Sequence, residues 1–304
     1  MALKDIKAKI GATNRTHKVT RAMEAVSAVK MRRTQQAALA GRPYARAALA
    51  ILARLSGTSE LSHHPLTAVR VVRRAALVVL TSDKGLAGAV NSGVIKAAAE
   101  AVAEGLPQGE VTIYAFGKKG EEYFAHRGYR IAETFENTAD AVPLEVVDKL
   151  AAQLTEAFAA GMYDEVLVAY SRFQSTFEQM PTVNRLLPLS IESVSQLVKD
   201  IVPDKGKWSG SEDTLSAPSA YTVESEYAEV LGAVIPRLVS ASLYHMLLEA
   251  KASEHSARMV AMKNASDKSK EMVHDLMRKY NKVRQAAITR EVSEIVSGRE
   301  ALAT

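Results

Sequence analysis

The sequence predicts an α/β protein flanked by two long helices, and three observations support this fold class. Residues near both ends have the periodicity of long helices, while short apolar stretches between them alternate with helical segments. Neither terminal helix can bury its own apolar stripe, so the two are expected to pair. The predicted fold is an antiparallel coiled coil of the N- and C-terminal helices with an inserted Rossmann-like α/β domain.

The N-terminal coiled-coil helix is predicted over residues 1–57. Apolar residues recur at helical spacing, and Gly57 suits a C-terminal cap. Pro43 removes a backbone donor and is expected to bend or divide the helix. The expected stripe consists of Leu3, Ile6, Ile10, Val19, Met23, Val26 and Val29.

The α/β domain is predicted over residues 70–190. Three apolar strands are expected at 75–80, 111–117 and 165–170, and helices are expected to end near Ala103 and Arg127 and to cover 142–160. Such alternation is typical of a largely parallel sheet. A last strand at 179–189 contains two prolines, which favours an edge position.

A connector is predicted over residues 191–224, before a long C-terminal coiled-coil helix over residues 225–304. The stretch 205–219 is rich in Gly, Ser, Asp and Pro. The run from Arg237 to Ser297 contains no Gly or Pro and would be roughly 90 Å long as a helix. Pro236 is expected to kink this helix. Its predicted seam is Val273, Leu276, Tyr280, Val283, Ala287, Val292 and Ile295.

Charge is distributed unevenly along the chain. Residues 1–55 carry 12 Lys or Arg and 2 Asp or Glu, and residues 250–299 carry 11 and 6, whereas the segment between them is acidic. Two basic ends indicate an acidic partner surface, because long-range attraction orients such an encounter. The alternative is a pair of solvated helices with surplus cations.

The motifs exclude most catalytic chemistry. The chain has no cysteine, and it lacks GxGxxG, GxxxxGK[ST], HExxH and GxSxG. The turn 81–88 follows the first strand where a doubly wound fold would bind phosphate. Its glycines, however, are interpreted as permitting a tight turn and close helix–sheet contact, and Asp83 as capping the turn beside an exposed Lys84. We therefore predict no catalytic residues, no cofactor and no metal.

Motifs at both ends resemble those of one family. They are KVTRAME (18–24), KMR (30–32), RPY (42–44), TSDKGLAG (81–88), ARMVAMK (257–263) and YNKVRQAAITREVSEIVSG (280–298). Together they are similar to the gamma subunit of F-type ATP synthases, and the resemblance extends over the whole chain. It implies a non-catalytic central rotor shaft that couples ion-driven c-ring rotation to conformational changes in the catalytic beta subunits.

The resemblance also implies partners and residue roles. The expected partners are three alpha and three beta subunits, an epsilon subunit and the c-ring, on the cytoplasmic face of a bacterial plasma membrane. Two groups are expected to contact the beta subunit: Arg284, Gln285, Thr289 and Glu291 on the last helix, and Met23, Lys18, Arg21, Lys30 and Arg32 on the first. Tyr221 and Glu224 are expected to meet the c-ring.

Some features depart from the family pattern, and two rival functions stay open. Gly298 is followed by Arg299 and Glu300, which would place charge in a normally apolar bearing. No cysteine-bearing insertion interrupts the α/β domain, which favours a bacterial form. The rivals are an enzyme that uses the α/β domain and a basic coiled-coil scaffold or nucleic-acid-binding protein, which would show steeply salt-dependent DNA binding.

Overall fold

The computed structural model describes residues 3–40, 64–105, 110–137, 142–190 and 227–302. The chain divides into two compact units, which we call the coiled-coil unit (residues 1–27 and 258–304) and the α/β unit (residues 28–257). The predicted connector 191–224 and the predicted weak point at Pro43 lie outside the described residues.

The described helices and strands follow in the predicted order, with two additions, a 3-10 helix at Pro65–Thr67 and a strand at Arg130–Phe135. The helices are α1 (Leu3–Ala40), α2 (Val90–Gly105), α3 (Lys118–Ala125), α4 (Leu144–Ala159) and α5 (Tyr227–Leu302). The strands are β1 (Ala75–Leu80), β2 (Val111–Phe116), β3 (Arg130–Phe135), β4 (Glu165–Phe173) and β5 (Gln179–Leu187). Helix α5 continues through Pro236.

The α/β unit contains a five-stranded sheet with the order β3-β2-β1-β4-β5. β1 pairs in parallel with β2 and β4, β2 pairs in parallel with β3, and β5 pairs antiparallel with β4. The mostly parallel sheet confirms the predicted fold class. β5 lies at an edge, as the prolines predicted, because proline cannot donate to a ladder on both sides.

β3 is the strand that the sequence prediction missed. Its residues alternate between exposed and half-buried, and none is fully buried. The segment RIAETF has too little apolar character to resemble the buried strands β1 and β4. Its position at the sheet edge explains the pattern, because an edge strand needs less apolar cover than a central one.

The two faces of the sheet are buried against different helices. Ala76, Val78 and Leu80 of β1 face a core that contains residues of α4 and of the first part of α5. Leu77 and Val79 face a second core built with α2 and α3. Successive side chains of β1 therefore point alternately into the two cores. Both faces of the strand are buried, which is why it is apolar throughout. Each fully buried aliphatic side chain contributes about 1.5–3 kcal/mol.

A carboxylate links the segments that precede β1 and β4 at the amino edge of the sheet. Asp164 Oδ2 accepts hydrogen bonds from the backbone N–H of Arg73 (3.0 Å) and of Arg74 (2.9 Å). Burial raises the pKa of Asp164, but these hydrogen bonds and the charges of Arg74 and Arg70 outweigh it and hold the pKa below the ordinary value. The carboxylate thereby joins the segment before β1 to the segment before β4.

Helix α5 changes character along its length. Residues 245–257 are buried without interruption, so this part of the helix is enclosed on every side. The segment Leu231–Arg299 includes an 18-residue window with mean hydropathy 1.4, enough by length and composition to cross a membrane, but 56% of that window is buried inside the protein. The apolar character of the window is therefore explained by core packing.

Candidate functional site

The coiled-coil unit pairs α1 and α5 in antiparallel orientation. His17 Nδ1 lies 3.0 Å from the backbone oxygen of Ser266, and Thr13 Oγ1 donates to Met272 Sδ at 3.9 Å. A later residue of α1 thus meets an earlier residue of α5. On α5 the buried or half-buried positions Met262, Ser266, Ser269, Val273, Leu276, Tyr280 and Val283 alternate in steps of four and three. This is the heptad seam of a coiled coil.

The predicted stripe on α1 was wrong in part. Val19, Val26 and Val29 are 57%, 53% and 51% exposed, whereas Thr20 and Ser27 are buried. Within this unit the seam side chains on both helices are often small and polar, which lets two backbones approach closely at little cost in volume. Thr20 Oγ1 donates to the carbonyl of Thr16, so its hydroxyl is satisfied without leaving the seam. Apolar spacing alone therefore selected the wrong face.

The predicted contact residues of the first helix lie mostly on its solvent side. Lys18, Arg21 and Arg32 are exposed, and Met23 and Lys30 are half-buried. Lys18 and Arg21 are one turn apart on α1 and share a face. Exposed guanidinium and ammonium groups can bind a partner's carboxylates by charge-assisted hydrogen bonds.

The end of α5 is exposed on all sides. Every residue from Arg284 to Arg299 is exposed, including the predicted contact residues Gln285, Thr289 and Glu291. Gln285 and Thr289 are one turn apart and share a face. Ala287, Val292 and Ile295 do not belong to a seam within the described part of the chain, contrary to the prediction, because α1 begins at Leu3 and the heptad burial on α5 ends at Val283.

This end of α5 also carries exposed apolar side chains. Ile288, Val292, Ile295 and Val296 are between 51% and 67% exposed, and Arg290 is paired with Glu294 at 2.9 Å. A row of exposed branched side chains on an otherwise polar helix is typical of a surface covered by another protein. The predicted c-ring residues Tyr221 and Glu224 lie outside the described residues.

The turn after β1 uses its polar groups within the protein. Asp83 Oδ1 accepts from the backbone N–H of Lys118 (2.9 Å), at the start of α3, and Asp83 Oδ2 accepts from the N–H of Asn137 (2.7 Å). The N–H of Ser82 donates to Asn91 Oδ1 at 3.0 Å. Asp83 was predicted to cap its own turn, but its carboxylate instead accepts from the start of α3 and from the segment after β3. In a nucleotide-binding fold, phosphate oxygens would accept from amides at a helix start such as that of α3.

The close contact predicted for Gly85 and Gly88 was wrong. A Cβ at either position would have no heavy atom within 4 Å, and only Gly88 needs its positive φ of +59°. Close approach occurs instead at Gly93 of α2, where a Cβ would lie 2.8 Å from Pro181, and at Gly117, where it would lie 2.1 Å from the backbone oxygen of Thr81. The presence of a glycine in the sequence does not show whether its backbone packs closely against another segment.

Sequence reasoning missed several buried polar residues of α5. Lys251 Nζ donates to the backbone oxygen of Asn137 at 2.7 Å. Ser253 Oγ donates to the oxygen of Ser171 at 2.8 Å, and Ser256 Oγ to that of Thr176 at 2.7 Å. The only signal in the sequence was a cluster of polar residues within a helix too apolar to be solvated. All these contacts belong to the α/β unit.

The two units together define a class of protein. The chain contains a coiled-coil unit and an α/β unit, and residues 284–299 of helix α5 are exposed within the described chain. Such a protein is a subunit that functions through contacts with other chains.

Comparison with known proteins identifies the family. Residues 2–302 match the family model described as ATP synthase. The chain is 36% identical over 301 residues to the ATP synthase gamma chain of Pelotomaculum thermopropionicum, which covers 99% of each chain. The chain belongs to the ATP synthase gamma-chain family. The predicted family is confirmed, and with it the role of rotor shaft in a membrane-associated ATP synthase.

Solved structures show the same fold at lower identity. A chain of the Euglena gracilis mitochondrial ATP synthase (OSCP, F1 and c-ring, rotational state 3) has a TM-score of 0.62 at 17% identity, covering 99% of this chain and 94% of that one. A chain of the Tetrahymena thermophila mitochondrial ATP synthase central stalk and c-ring has a TM-score of 0.57 at 23% identity, covering 82% and 99%.

Proposed function

We propose that this chain is the non-catalytic central shaft of a bacterial ATP synthase. One copy passes through a ring of three alpha and three beta subunits, and its α/β unit and connector meet an epsilon subunit and the c-ring. The chain lies peripherally at the cytoplasmic face of the plasma membrane and is held there through the complex.

The observation that carries the proposal is the uncovered end of α5. Residues 284–299 are all exposed, and they include apolar side chains that a free helix would leave in water. In the proposed assembly this segment is enclosed by the ring. The exposed cations of α1 add long-range attraction to acidic loops of the surrounding subunits.

Torque then acts through differential binding. The shaft presents a different side to each beta subunit at each angle, so rotation changes which conformation of that subunit is most stable. Arg284, Gln285, Thr289 and Glu291 hold a beta-subunit loop by polar and charge-assisted contacts, and Met23 with Lys18, Arg21, Lys30 and Arg32 contacts the beta subunit from the first helix. Tyr221 and Glu224 contact the c-ring.

One feature of the α/β unit supports a non-catalytic role. Asp83 is engaged by the backbone N–H of Lys118 and Asn137, so it is held as a structural acceptor at the carboxyl edge of the sheet. Turnover is supplied by the beta subunits.

Co-purification tests the proposal. The chain is expressed with the alpha and beta subunits of its host, and ATP hydrolysis by the purified complex is measured with and without this chain. We expect one copy per three alpha–beta pairs and hydrolysis that depends on it. A chain that fails to join the ring but binds nucleotide or DNA alone would contradict the proposal.

A further inference from the structure

The turn Thr81–Asp83 has no chemical role in the proposed function, yet it is the centre of a hydrogen-bonded network. Asp83 joins the start of α3 to the segment after β3, because its two oxygens accept from Lys118 and Asn137. Thr81 is buried, and its Oγ1 accepts from the N–H of Gly120 at 2.9 Å. The segments that follow β1, β2 and β3 are thereby tied together at the carboxyl edge of the sheet.

Asn137 connects this edge to the long helix. Its N–H donates to Asp83, its Nδ2 donates to the backbone oxygen of Thr81 at 2.6 Å, and its own backbone oxygen accepts from Lys251 Nζ at 2.7 Å. Lys251 is only 3% exposed, so its ammonium group is held inside the α/β unit. A buried lysine is costly and persists only where its donors are used.

The same helix is fixed to the sheet at two further positions. Ser253, with no exposed surface, donates to Ser171 at the end of β4. Ser256, also fully buried, donates to Thr176 in the β4–β5 turn. Hydrophobic attraction is not directional, so apolar packing holds a helix in position only through the shapes of its side chains. Directional hydrogen bonds to fixed carbonyls set both the register and the rotation of α5.

We infer that Thr81, Asp83, Asn137 and Lys251 form a torque bracket, which fixes the carboxyl edge of the sheet to the shaft helix so that the two turn as one body. This inference rests on the proposed shaft function and assigns positioning roles to residues without catalytic chemistry. Lys251 is the joint between the helix and the sheet edge. Asp83 holds the segment that contains Asn137 in place.

The test compares ATP-driven ion pumping with ATP hydrolysis in the complete membrane-bound complex. Lys251→Met keeps the length of the side chain and removes the donor, and an apolar replacement for a buried charge is compatible with folding. We expect pumping per ATP hydrolysed to fall about twofold or more, within the range that loss of one coupling contact produces. The matched control is Lys96→Met, because Lys96 on α2 is 77% exposed and paired only with Glu100 at 3.6 Å in the described structure.

Hydrogen exchange of the same complexes provides a second readout. The amide of Asn137 donates to Asp83, so release of the bracket should raise its exchange rate about tenfold, the effect of losing one hydrogen bond to a charged group. Asp83→Asn leaves one oxygen for two donors, and we expect the same direction of change in exchange and in pumping per ATP.

The outcomes separate the bracket from the shaft function. If Lys251→Met leaves pumping per ATP and the exchange of Asn137 unchanged, the bracket is contradicted. Faster exchange with an unchanged pumping ratio, or equal losses of hydrolysis and pumping, would show a structural contact without a role in transmission and would also overturn it. If the unsubstituted chain supports neither hydrolysis nor pumping, the shaft function itself fails.

Discussion

Two stretches of the same helix show opposite relations to the chain that contains them. Residues 245–257 of α5 are all buried within the α/β unit, although they include Lys251 and other polar side chains. Residues 284–299 are all exposed, although they include Ile288, Val292 and Ile295. Composition therefore does not decide burial along this helix.

The two stretches are stabilised by different parts of the assembly. The first is stabilised by this chain, through apolar packing and through hydrogen bonds to the sheet edge. The second has no cover within the described residues, and an isolated helix of that length is marginal in water. Its stabilisation is expected from the ring of partner subunits. The same reasoning predicts that substitutions in the two stretches are detected by different measurements.

The largest effect on the free energy of unfolding is expected at Gly117, where the α/β unit has no space for an added side chain. A Cβ at Gly117 would lie 2.1 Å from the oxygen of Thr81, at a φ of +86°. Gly117→Ala should lower the free energy of unfolding by about 4 kcal/mol, the sum of backbone strain and overpacking. Urea denaturation measures this. Gly85→Ala is the matched control, because a Cβ there has no atom within 4 Å; equal effects of the two variants would refute the packing argument.

The next largest effect compares a buried leucine in the first part of α5 with an exposed isoleucine near its end. Leu243 has no exposed surface, and Leu243→Ala should cost about 3 kcal/mol through lost transfer energy and a cavity. Ile295 is 67% exposed, and Ile295→Ala should change the stability of the free chain by less than about 0.5 kcal/mol. In the assembled complex Ile295→Ala should instead weaken association. If Ile295→Ala greatly lowered the stability of the free chain, residues 284–299 would have to be covered by this chain itself, which contradicts the account.

A smaller effect is expected at the amino end of the sheet and depends on pH. The pKa of Asp164 is held below its ordinary value of 3.8 in the folded state. The ionised carboxylate therefore stabilises the fold fully above the unfolded pKa, and this stabilisation is lost as pH falls through the folded pKa. Asp164→Asn should cost about 1 kcal/mol at neutral pH, because asparagine keeps one acceptor oxygen but loses the charge that strengthens both hydrogen bonds.

Urea denaturation of both proteins at neutral pH and near pH 3 measures this dependence. The difference in unfolding free energy between the wild-type protein and Asp164→Asn should narrow towards the acid condition. If this difference stays constant or widens on acidification, the ionised carboxylate of Asp164 does not stabilise the fold through the backbone N–H groups of Arg73 and Arg74.

The smallest effect on the free chain is expected at the exposed polar contacts of α5. Gln285→Ala combined with Thr289→Val changes two exposed side chains of the last helix, so the stability of the free chain should change little. ATP turnover of the assembled ring should fall several-fold, about the effect of one or two lost hydrogen bonds. Assembly should be unchanged, as measured by co-purification. Unchanged turnover would count against the loop-holding role.

The sequence predicted the elements whose periodicity is strong. β1 was predicted at its observed bounds, because Ala75–Leu80 contributes to both cores and is apolar throughout. The edge position of β5 followed from Pro181 within the strand and Pro188 directly after it. β3 was missed because an edge strand of alternating polarity gives little apolar signal.

The faces of the coiled coil were harder to predict. Thr20, Ser27 and Ser266 are buried, whereas Val19 and Val26 are exposed, so the seam is selected by size and heptad position more than by apolarity. The torque bracket could not be predicted. Lys251 donates to the backbone oxygen of Asn137, and every residue has such an oxygen, so the sequence does not indicate which one accepts. The predicted domain boundaries and the residues proposed to contact the beta subunit and the c-ring stay predictions.

Hydrogen exchange along α5, measured in the free chain and in the assembled complex, tests the central claim most directly. Amides of residues 245–257 should be protected in both states, because this chain buries them. Amides of residues 284–299 should exchange rapidly in the free chain and become protected only when the alpha and beta subunits are present. Protection of 284–299 in the free chain, or rapid exchange within the assembled ring, would contradict the account.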